Sequence, residues 1–224
     1  MWILLNVNFS QHLNTRSDLS DSSDGEGITA ARVLQEIENA WLNEKFAPEI
    51  LPHQSDFVDC MLQQISHMED NMQKLKKTDL RFTVHKMEID RIRFVIASYL
   101  RTRLEKIEQF AISILSDEAK RPPDEGYLTP GELKFAKEYV ANIETLFTSI
   151  ALQYMPRQFQ AFDTKQLMLK PNLLAHVFLR VNRDVKGIAL PGTNEIIDLD
   201  AGTQHILPYQ PIASLLKEGA VRLI

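Results

Sequence analysis

The sequence has one cysteine, Cys60, among its 224 residues, and fewer basic than acidic side chains. The lone thiol excludes a disulfide framework and a multi-thiolate metal site, and it favours a reducing intracellular compartment. The net charge of -5 argues against a protein that gains its affinity by wrapping bare nucleic acid. The apolar start, residues 1–9, lacks the basic flank of a signal peptide and is too short to span a bilayer. We therefore expect a soluble protein of the cytoplasm or nucleus without membrane contact.

Residues arranged for chemistry are also lacking. There is no phosphate-binding or dinucleotide-binding glycine loop, since Gly25 and Gly27 lie in an acidic stretch with no preceding strand. The six histidines are scattered and match no zinc-ligand spacing. Cys60 lies among predicted core residues, and turn formation accounts for Asp200 in the only carboxylate pair of note, Asp198 and Asp200. We predict no catalytic, cofactor-binding or metal-binding residue, and hence no enzyme.

The distribution of residue types along the chain indicates a helical domain followed by a small β-rich domain. Residues 1–28 include the acidic serine stretch SDLSDSSDGEG, which predicts a disordered tail, either a plain tether or a site of phosphorylation. The apolar start before it is either a docking motif or a segment without a role. Residues 29–156 predict the helical domain of four to five helices, 157–172 a linker, and 173–224 the β-rich domain. The fold class is therefore mainly α.

Apolar periodicity places three helices in the first part of the chain. Thr29 is a candidate N-cap for the first, a methionine-bearing stripe marks a second over about residues 56–77, and about residues 83–115 form the longest. On this third helix Phe94 lies nearly opposite the stripe that contains Ile92. A helix that is apolar on two faces needs cover on two sides, and a partner protein is one source of that cover.

The clearest local signal is the run Thr129-Pro130-Gly131-Glu132, a capping box with proline at the first helical position. The helix it opens has an apolar stripe that continues to Tyr154 and ends at Met155-Pro156. Short β-rich runs follow at residues 176–181, 196–199, 205–209 and 221–224, with a short helix at 212–217 that Gly219 ends.

A nucleic-acid-binding helix is the alternative interpretation. Four arginines cluster on the third helix: Arg91, Arg93, Arg101 and Arg103. Acidic residues are interleaved with them, so salt-bridged helix surface is the simpler explanation, and a stand-alone nucleic-acid-binding module remains the second hypothesis.

Several motifs together resemble one family, the Sld-five subunits of the GINS complex. They are the run Ala40-Trp41-Leu42-Asn43-Glu44-Lys45-Phe46-Ala47-Pro48-Glu49, the run Glu88-Ile89-Asp90-Arg91-Ile92-Arg93-Phe94-Val95 with its continuation Ser98-Tyr99-Leu100-Arg101, the run Leu128-Thr129-Pro130-Gly131-Glu132-Leu133, the run Val177-Phe178-Leu179-Arg180-Val181, and the ending Gly219-Ala220-Val221-Arg222-Leu223-Ile224. The similarity covers about residues 29–224 in order, and residues 1–28 lie outside it.

The resemblance implies a non-enzymatic role in the nucleus, in eukaryotic chromosome replication. GINS is a heterotetramer of four related subunits, whose helical domains form a core and whose β domains dock on neighbours. It joins the minichromosome-maintenance hexamer and a cell-division-cycle recruitment factor in the replicative helicase, and it links that helicase to the leading-strand polymerase. Contact of this chain with DNA is then at most indirect.

The site that this role requires is a protein interface. Large aromatic residues and arginines dominate such interfaces, so the candidates are taken from the matching motifs. They are Trp41, Phe46, Arg91, Phe94, Tyr99, Arg101, Phe178, Leu179, Val181, Leu223 and Ile224. For each aromatic and aliphatic candidate, a place in the chain's own core is the equally weighted alternative.

Overall fold

The computed structural model describes residues 29–76, 79–122, 125–160, 166–191 and 196–224. The predictions for the apolar start and the acidic serine stretch lie outside these residues. Where the chain is described, four long helices precede a strand-rich part, which confirms the predicted fold class. The helices are α1 (Ala30–Phe46), α2 (Ser55–Gln73), α3 (Leu80–Glu118) and α4 (Pro130–Ile150).

The two predicted N-caps are present at the starts of their helices. At the start of α1, the backbone N–H of Arg32 lies 3.4 Å from the hydroxyl of Thr29. At the start of α4, the hydroxyl of Thr129 accepts from the backbone N–H of Glu132, and the Glu132 carboxylate accepts from the backbone N–H of Thr129. The capping box is therefore complete, and it satisfies two backbone donors that the first turn of a helix leaves without partners.

Contacts divide the described chain into two compact units. The first comprises the residues up to Glu38 together with Asp56–Val95, and the second comprises Asn39–Ser55 together with Ile96–Ile224. The predicted division into a helical domain and a β-rich domain, with a linker at residues 157–172, is different from this one and stays a prediction.

In the first unit, the apolar stripes of α1, α2 and α3 face inward. The buried residues are Val33, Leu34, Ile37, Val58, Met61, Ile65, Ile89, Ile92 and Val95. Phe94 is 62% exposed, whereas its neighbour Ile92 is buried. The second apolar face predicted for α3 is thus present.

The second unit contains the remainder of α3, which is distorted at Phe110 (φ −121°, ψ 22°), and all of α4. A small core lies here, formed by Ile50, Ile107, Ile114, Leu128 and Ala136. The strands of this unit are β1 (His176–Val181), β2 (Val185–Ala189), β3 (Ile196–Leu199), β4 (Gln204–Pro208) and β5 (Val221–Leu223). They form an antiparallel sheet of order β4-β1-β5 and a separate hairpin of β2 and β3.

Two glycines explain where the strand-rich part agrees with the prediction from the sequence and where it differs from that prediction. A short helix, α5 (Ala213–Lys217), ends at Gly219 as predicted, because the positive φ of +70° lets the Gly219 and Ala220 N–H groups bond back to Leu216 and Leu215. Strand β2 was not predicted. Its pattern is broken by Gly187, where φ is +79° and the pairing with β3 shifts register.

Candidate protein-interaction surface

The groups considered for chemistry have structural roles. The Asp198 carboxylate accepts a 2.8 Å hydrogen bond from the Gly187 N–H, and the Asp200 backbone carbonyl accepts from Thr203 in a turn. Burial raises the pKa of the Cys60 thiol, which lowers its nucleophilic fraction at neutral pH. Among the described residues, no group of three or more His, Cys, Asp or Glu side chains is placed to hold a metal ion.

At the centre of the second unit is a buried arginine, Arg103, whose side chain is only 1% exposed. Its Nε and Nη2 atoms lie 2.7 and 3.0 Å from the two carboxylate oxygens of Glu132, and Nη1 lies 3.2 Å from Glu44. The backbone carbonyls of Leu51 and Tyr127 accept from Nη1 and Nη2 at 2.7 and 2.8 Å. A guanidinium has five N–H donors, and these five bonds can use all of them.

Lys106 completes this group, which we call the ion network: Arg103, Lys106, Glu44 and Glu132. The Lys106 ammonium donates to Glu44 at 2.8 Å and to the backbone carbonyl of Glu49 at 2.7 Å. Two cations thus meet two carboxylates, so the buried charges balance. Removing one partner would leave an uncompensated charge away from water, which is the costly way to break a buried ion pair.

The pKa directions follow from this geometry. Burial alone would raise the pKa of Glu132, but its hydrogen bond to Arg103 and the arginine charge leave that pKa below its ordinary value. Burial lowers the pKa of Lys106, and the nearby Glu44 carboxylate opposes this shift without cancelling it.

The end of α1 and the segment after it also hold the C-terminal strands in place. The Tyr209 hydroxyl donates to Glu49 at 3.0 Å, and the Lys217 ammonium lies 3.5 Å from the same carboxylate. The backbone N–H of Leu223 donates to the Asn43 side chain at 2.8 Å. Apolar packing accompanies these bonds, because Ala47 and Leu51 belong to the same core as the sheet.

The ion network does not follow from the sequence pattern, because the interleaved acidic residues favour a salt-bridged helix surface for Arg103. Arg103 is instead buried. A signal for this was present: Arg103 lies four residues after Tyr99 and four before Ile107, on the stripe that faces the core. An arginine in a core position predicts a carboxylate opposite it, but the partner lies 29 residues further along the chain.

The predicted interface residues fall into three groups: buried, half-buried and exposed. Tyr99, Leu179, Val181 and Leu223 are buried in the chain's own core. Trp41 is half-buried, and its indole N–H donates to the Ser98 hydroxyl at 2.9 Å. The remaining candidates are exposed: Phe46, Arg91, Phe94, Arg101, Phe178 and Ile224. Whether a partner contacts any of them stays a prediction.

Among the candidates that are not buried, two pairs lie close together. The Lys45 ammonium lies over the rings of both Trp41 and Phe46, at 5.6 and 5.5 Å from their centroids. On the sheet, the backbone N–H of Ile224 donates to the carbonyl of Phe178 at 3.1 Å.

A further exposed apolar surface lies on the C-terminal half of α4, which we call the α4 end (residues 144–150). Every residue in this range is exposed, including Leu146, Phe147 and Ile150, the last at 66%. The sequence pattern correctly predicts that these side chains belong to the apolar stripe of the helix. However, the described residues bury only the first part of that stripe and leave these side chains exposed. Tyr154 and Met155, just after the helix, are exposed too.

The four arginines of the alternative hypothesis do not form an open track of positive charge. Arg91 pairs with Glu38, Arg93 lies 2.6 Å from Glu69, and Arg103 is buried in the ion network. These three charges are already compensated, and of the four arginines only Arg101 has no ion pair within the described part of the chain.

Exposed apolar side chains of this kind are typical of one class of protein, namely subunits that pack against other chains. Comparison with known families gives the particular member. Residues 60–151 match the family model "GINS complex protein helical bundle domain", and residues 171–224 match "DNA replication complex GINS protein SLD5 C-terminus". The chain belongs to the SLD5 family of GINS proteins.

Curated relatives agree over nearly the whole chain. A DNA replication complex GINS protein SLD5 from Xenopus laevis is 45% identical, over 93% of this chain and 97% of the relative. The human protein of that name is 43% identical, over 92% of this chain and 97% of its own. The protein from Schizosaccharomyces pombe is 29% identical, over 82% and 88%. These names support a role in GINS and in DNA replication. No helix in the described ranges is long and apolar enough to cross a membrane.

Proposed function

We propose that this chain is a non-catalytic structural subunit of a GINS heterotetramer, assembled with three related subunits in the nucleus. Through that complex it would join the minichromosome-maintenance hexamer, the cell-division-cycle recruitment factor and the leading-strand polymerase in the replicative helicase, with DNA contact at most indirect. The family membership supports the GINS role, and the surface of the chain supports the assembly role.

The observation that carries the proposal is the α4 end. A helix of a soluble protein normally turns its apolar stripe toward its own core and leaves the opposite face polar. Here Leu146, Phe147 and Ile150 follow that stripe and are nevertheless exposed. Burying one such side chain contributes about 1.5 to 3 kcal/mol, so a partner that covers the three gains substantial free energy.

The anchoring of α4 at its first turn supports the same proposal. The ion network ties α4, through Glu132, to Arg103 on α3 and Glu44 on α1. A rigid helix loses little conformational entropy when a partner binds it, so more of the burial energy appears as affinity.

The test is the mass of the particle in solution. The chain is expressed alone and together with the three other GINS subunits, and each sample is measured by light scattering on a gel-filtration column. We expect one equimolar four-chain complex from co-expression, and an aggregated or unstable chain on its own. A stable monomer that does not associate with those subunits would contradict the proposal.

A further inference from the structure

The outward face of the sheet β4-β1-β5 carries an apolar row. Phe178 on β1 is paired directly with Ile206 on β4, and on its other side the carbonyl of Phe178 accepts from the backbone N–H of Ile224. All three side chains are exposed, Phe178 at 59%. Directly opposed side chains on one sheet face lie about 5 Å apart, so the three form a continuous strip.

Next to this strip lies a basic row. Arg180 on β1 is paired directly with Arg222 on β5, and Gln204 on β4 lies on the opposite side of Arg180. Like charges that face each other across two strands destabilise a sheet, and an anion between them would remove that repulsion. Alternation along the strands gives eight outward positions, and none is acidic: His176, Phe178, Arg180, Gln204, Ile206, Pro208, Arg222 and Ile224.

The Arg222 side chain lacks part of its hydrogen bonding. Its Nη1 atom lies 3.4 Å from the Asn39 side chain, which is a long contact. Its Nε atom is shielded from solvent and has no hydrogen-bond partner among the residues that the structure describes. A buried donor without an acceptor is costly, and an added carboxylate would remove that cost.

The composition of this face selects among possible occupants. A symmetric pair of two such faces would bring four arginines together without a carboxylate, so the face does not complement a second copy of itself. Single-stranded nucleic acid is bound by successive aromatic rings in a basic groove, whereas Phe178 is the one aromatic side chain among the eight outward positions. The occupant that fits has to cover aliphatic side chains and also supply a carboxylate.

We propose that the outward face of this sheet binds a segment of another protein that combines large apolar side chains with an acidic one. The apolar side chains cover Phe178, Ile206 and Ile224, and the carboxylate lies between Arg180 and Arg222. Charge complementarity is the basis of this assignment. It adds a second docking surface, on residues other than the α4 end, and it states the chemistry of the partner.

The test is a photo-crosslink from the centre of the face. The full-length chain, with Phe178 replaced by the photoreactive aromatic residue benzoylphenylalanine, is expressed in eukaryotic cells and irradiated there, and the cross-linked peptides are identified by mass spectrometry. We expect a peptide of another protein in which Asp or Glu stands beside apolar residues. Mixing isotopically light and heavy chains identifies cross-links between two copies of this chain.

An exchange of charge makes the result specific. Arg180→Glu should lower the cross-link yield several-fold, because the arginine is exposed and its reversal repels the partner's carboxylate without disturbing the core. Replacing the acidic residue of the identified peptide by lysine should restore the yield with Arg180→Glu. Lys186→Glu is the matched control, since Lys186 is exposed on β2, outside this sheet, and it should leave the yield unchanged.

Cross-links confined to the chain itself, to a second copy or to nucleic acid would overturn the proposal, and so would no cross-link or a peptide without a carboxylate. Equal effects of Arg180→Glu and Lys186→Glu would overturn it as well. The inference rests on the proposed function only in requiring another protein as partner. A four-chain particle that forms without this cross-link contradicts the sheet-face proposal alone, and the cross-link without that particle contradicts the GINS assembly alone.

Discussion

Arg103 and Glu132 form a two-point ion pair in which both N–H···O bonds run between the edge of the guanidinium and the two carboxylate oxygens, although 29 residues separate them. The same carboxylate accepts from the backbone N–H of Thr129 at 2.9 Å. Glu132 therefore caps the first turn of α4 and also binds α3. A fork-to-fork pair of this kind fixes orientation as well as distance, so it sets how α4 leaves its preceding loop.

Replacing Arg103 by methionine should destabilise the chain by about 3 to 5 kcal/mol, because Glu132 and Glu44 would then lack their main buried cation. The measurement is the urea midpoint, taken on the purified chain or its complex. The control is Arg101→Met, an exposed arginine on the same helix, for which we expect a change within about 0.5 kcal/mol. Equal midpoints for the two variants would show that the buried network contributes nothing.

The depressed pKa of Glu132 predicts an acid-dependent loss of stability. A lowered pKa in the folded state adds stability that is fully present above the ordinary value of 4.5 and is lost as pH falls through the folded value. The stability difference between the parent chain and Glu132→Gln should therefore be constant from pH 7 to about pH 5 and should shrink below pH 4.5. Urea midpoints across this range measure it, and a difference that grows on acidification would refute the assignment.

Tyr209→Phe should loosen the C-terminal strands from the segment that follows α1. The substitution removes the hydroxyl that donates to Glu49 and leaves the ring packed, so the expected cost is about 1.5 to 3 kcal/mol for a bond to a charged acceptor. Hydrogen exchange should become faster in β1, β5 and α5. Tyr154→Phe, at an exposed tyrosine, is the matched control and should change no exchange rate in those elements.

Phe147→Ala tests the α4 end. Because Phe147 is exposed in this chain, its truncation should cost little of the chain's own packing, but it should weaken assembly with the other subunits by about 1 to 4 kcal/mol if it is an anchor. Assembly is measured by titration at fixed salt. Thr148→Ala, the next residue, is the control. Undiminished assembly in Phe147→Ala would remove this residue from the interface.

Phe94→Ala makes the corresponding test on the first unit. The ring lies on the outer face of α3, so the prediction is again weaker assembly by about 1 to 4 kcal/mol with little change in the stability of the chain itself. Trp41→Ala is a less specific test of the interface, since the substitution also removes the hydrogen bond to Ser98. A loss of stability in Trp41→Ala without a loss of assembly would assign Trp41 to the core.

Local rules predicted the elements well because the information lies within a few residues. Three features each follow from residues that are close together in the sequence of a single helix. They are the capping box at Thr129, the glycine that ends α5, and the two apolar faces of α3. Strand β2 was missed because Gly187 breaks the alternation on which the prediction depends.

The surface was harder to predict for a physical reason. Periodicity shows that Leu146 and Ile150 share a face, but not whether this chain or another one covers that face. In the same way, the spacing of Arg103 with Tyr99 marks a core position, but it does not reveal that Glu44 and Glu132 converge there from distant parts of the sequence.

In the proposed assembly, the exposed α4 end would make the lifetime of this chain depend on the supply of its partners. A copy that finishes synthesis before they are available presents Leu146, Phe147 and Ile150 to water, where chaperones and proteases that recognise apolar surface compete with assembly. Excess copies would be removed and assembled copies spared, so the cell would hold this protein at the level of its scarcest companion, however much of it is made.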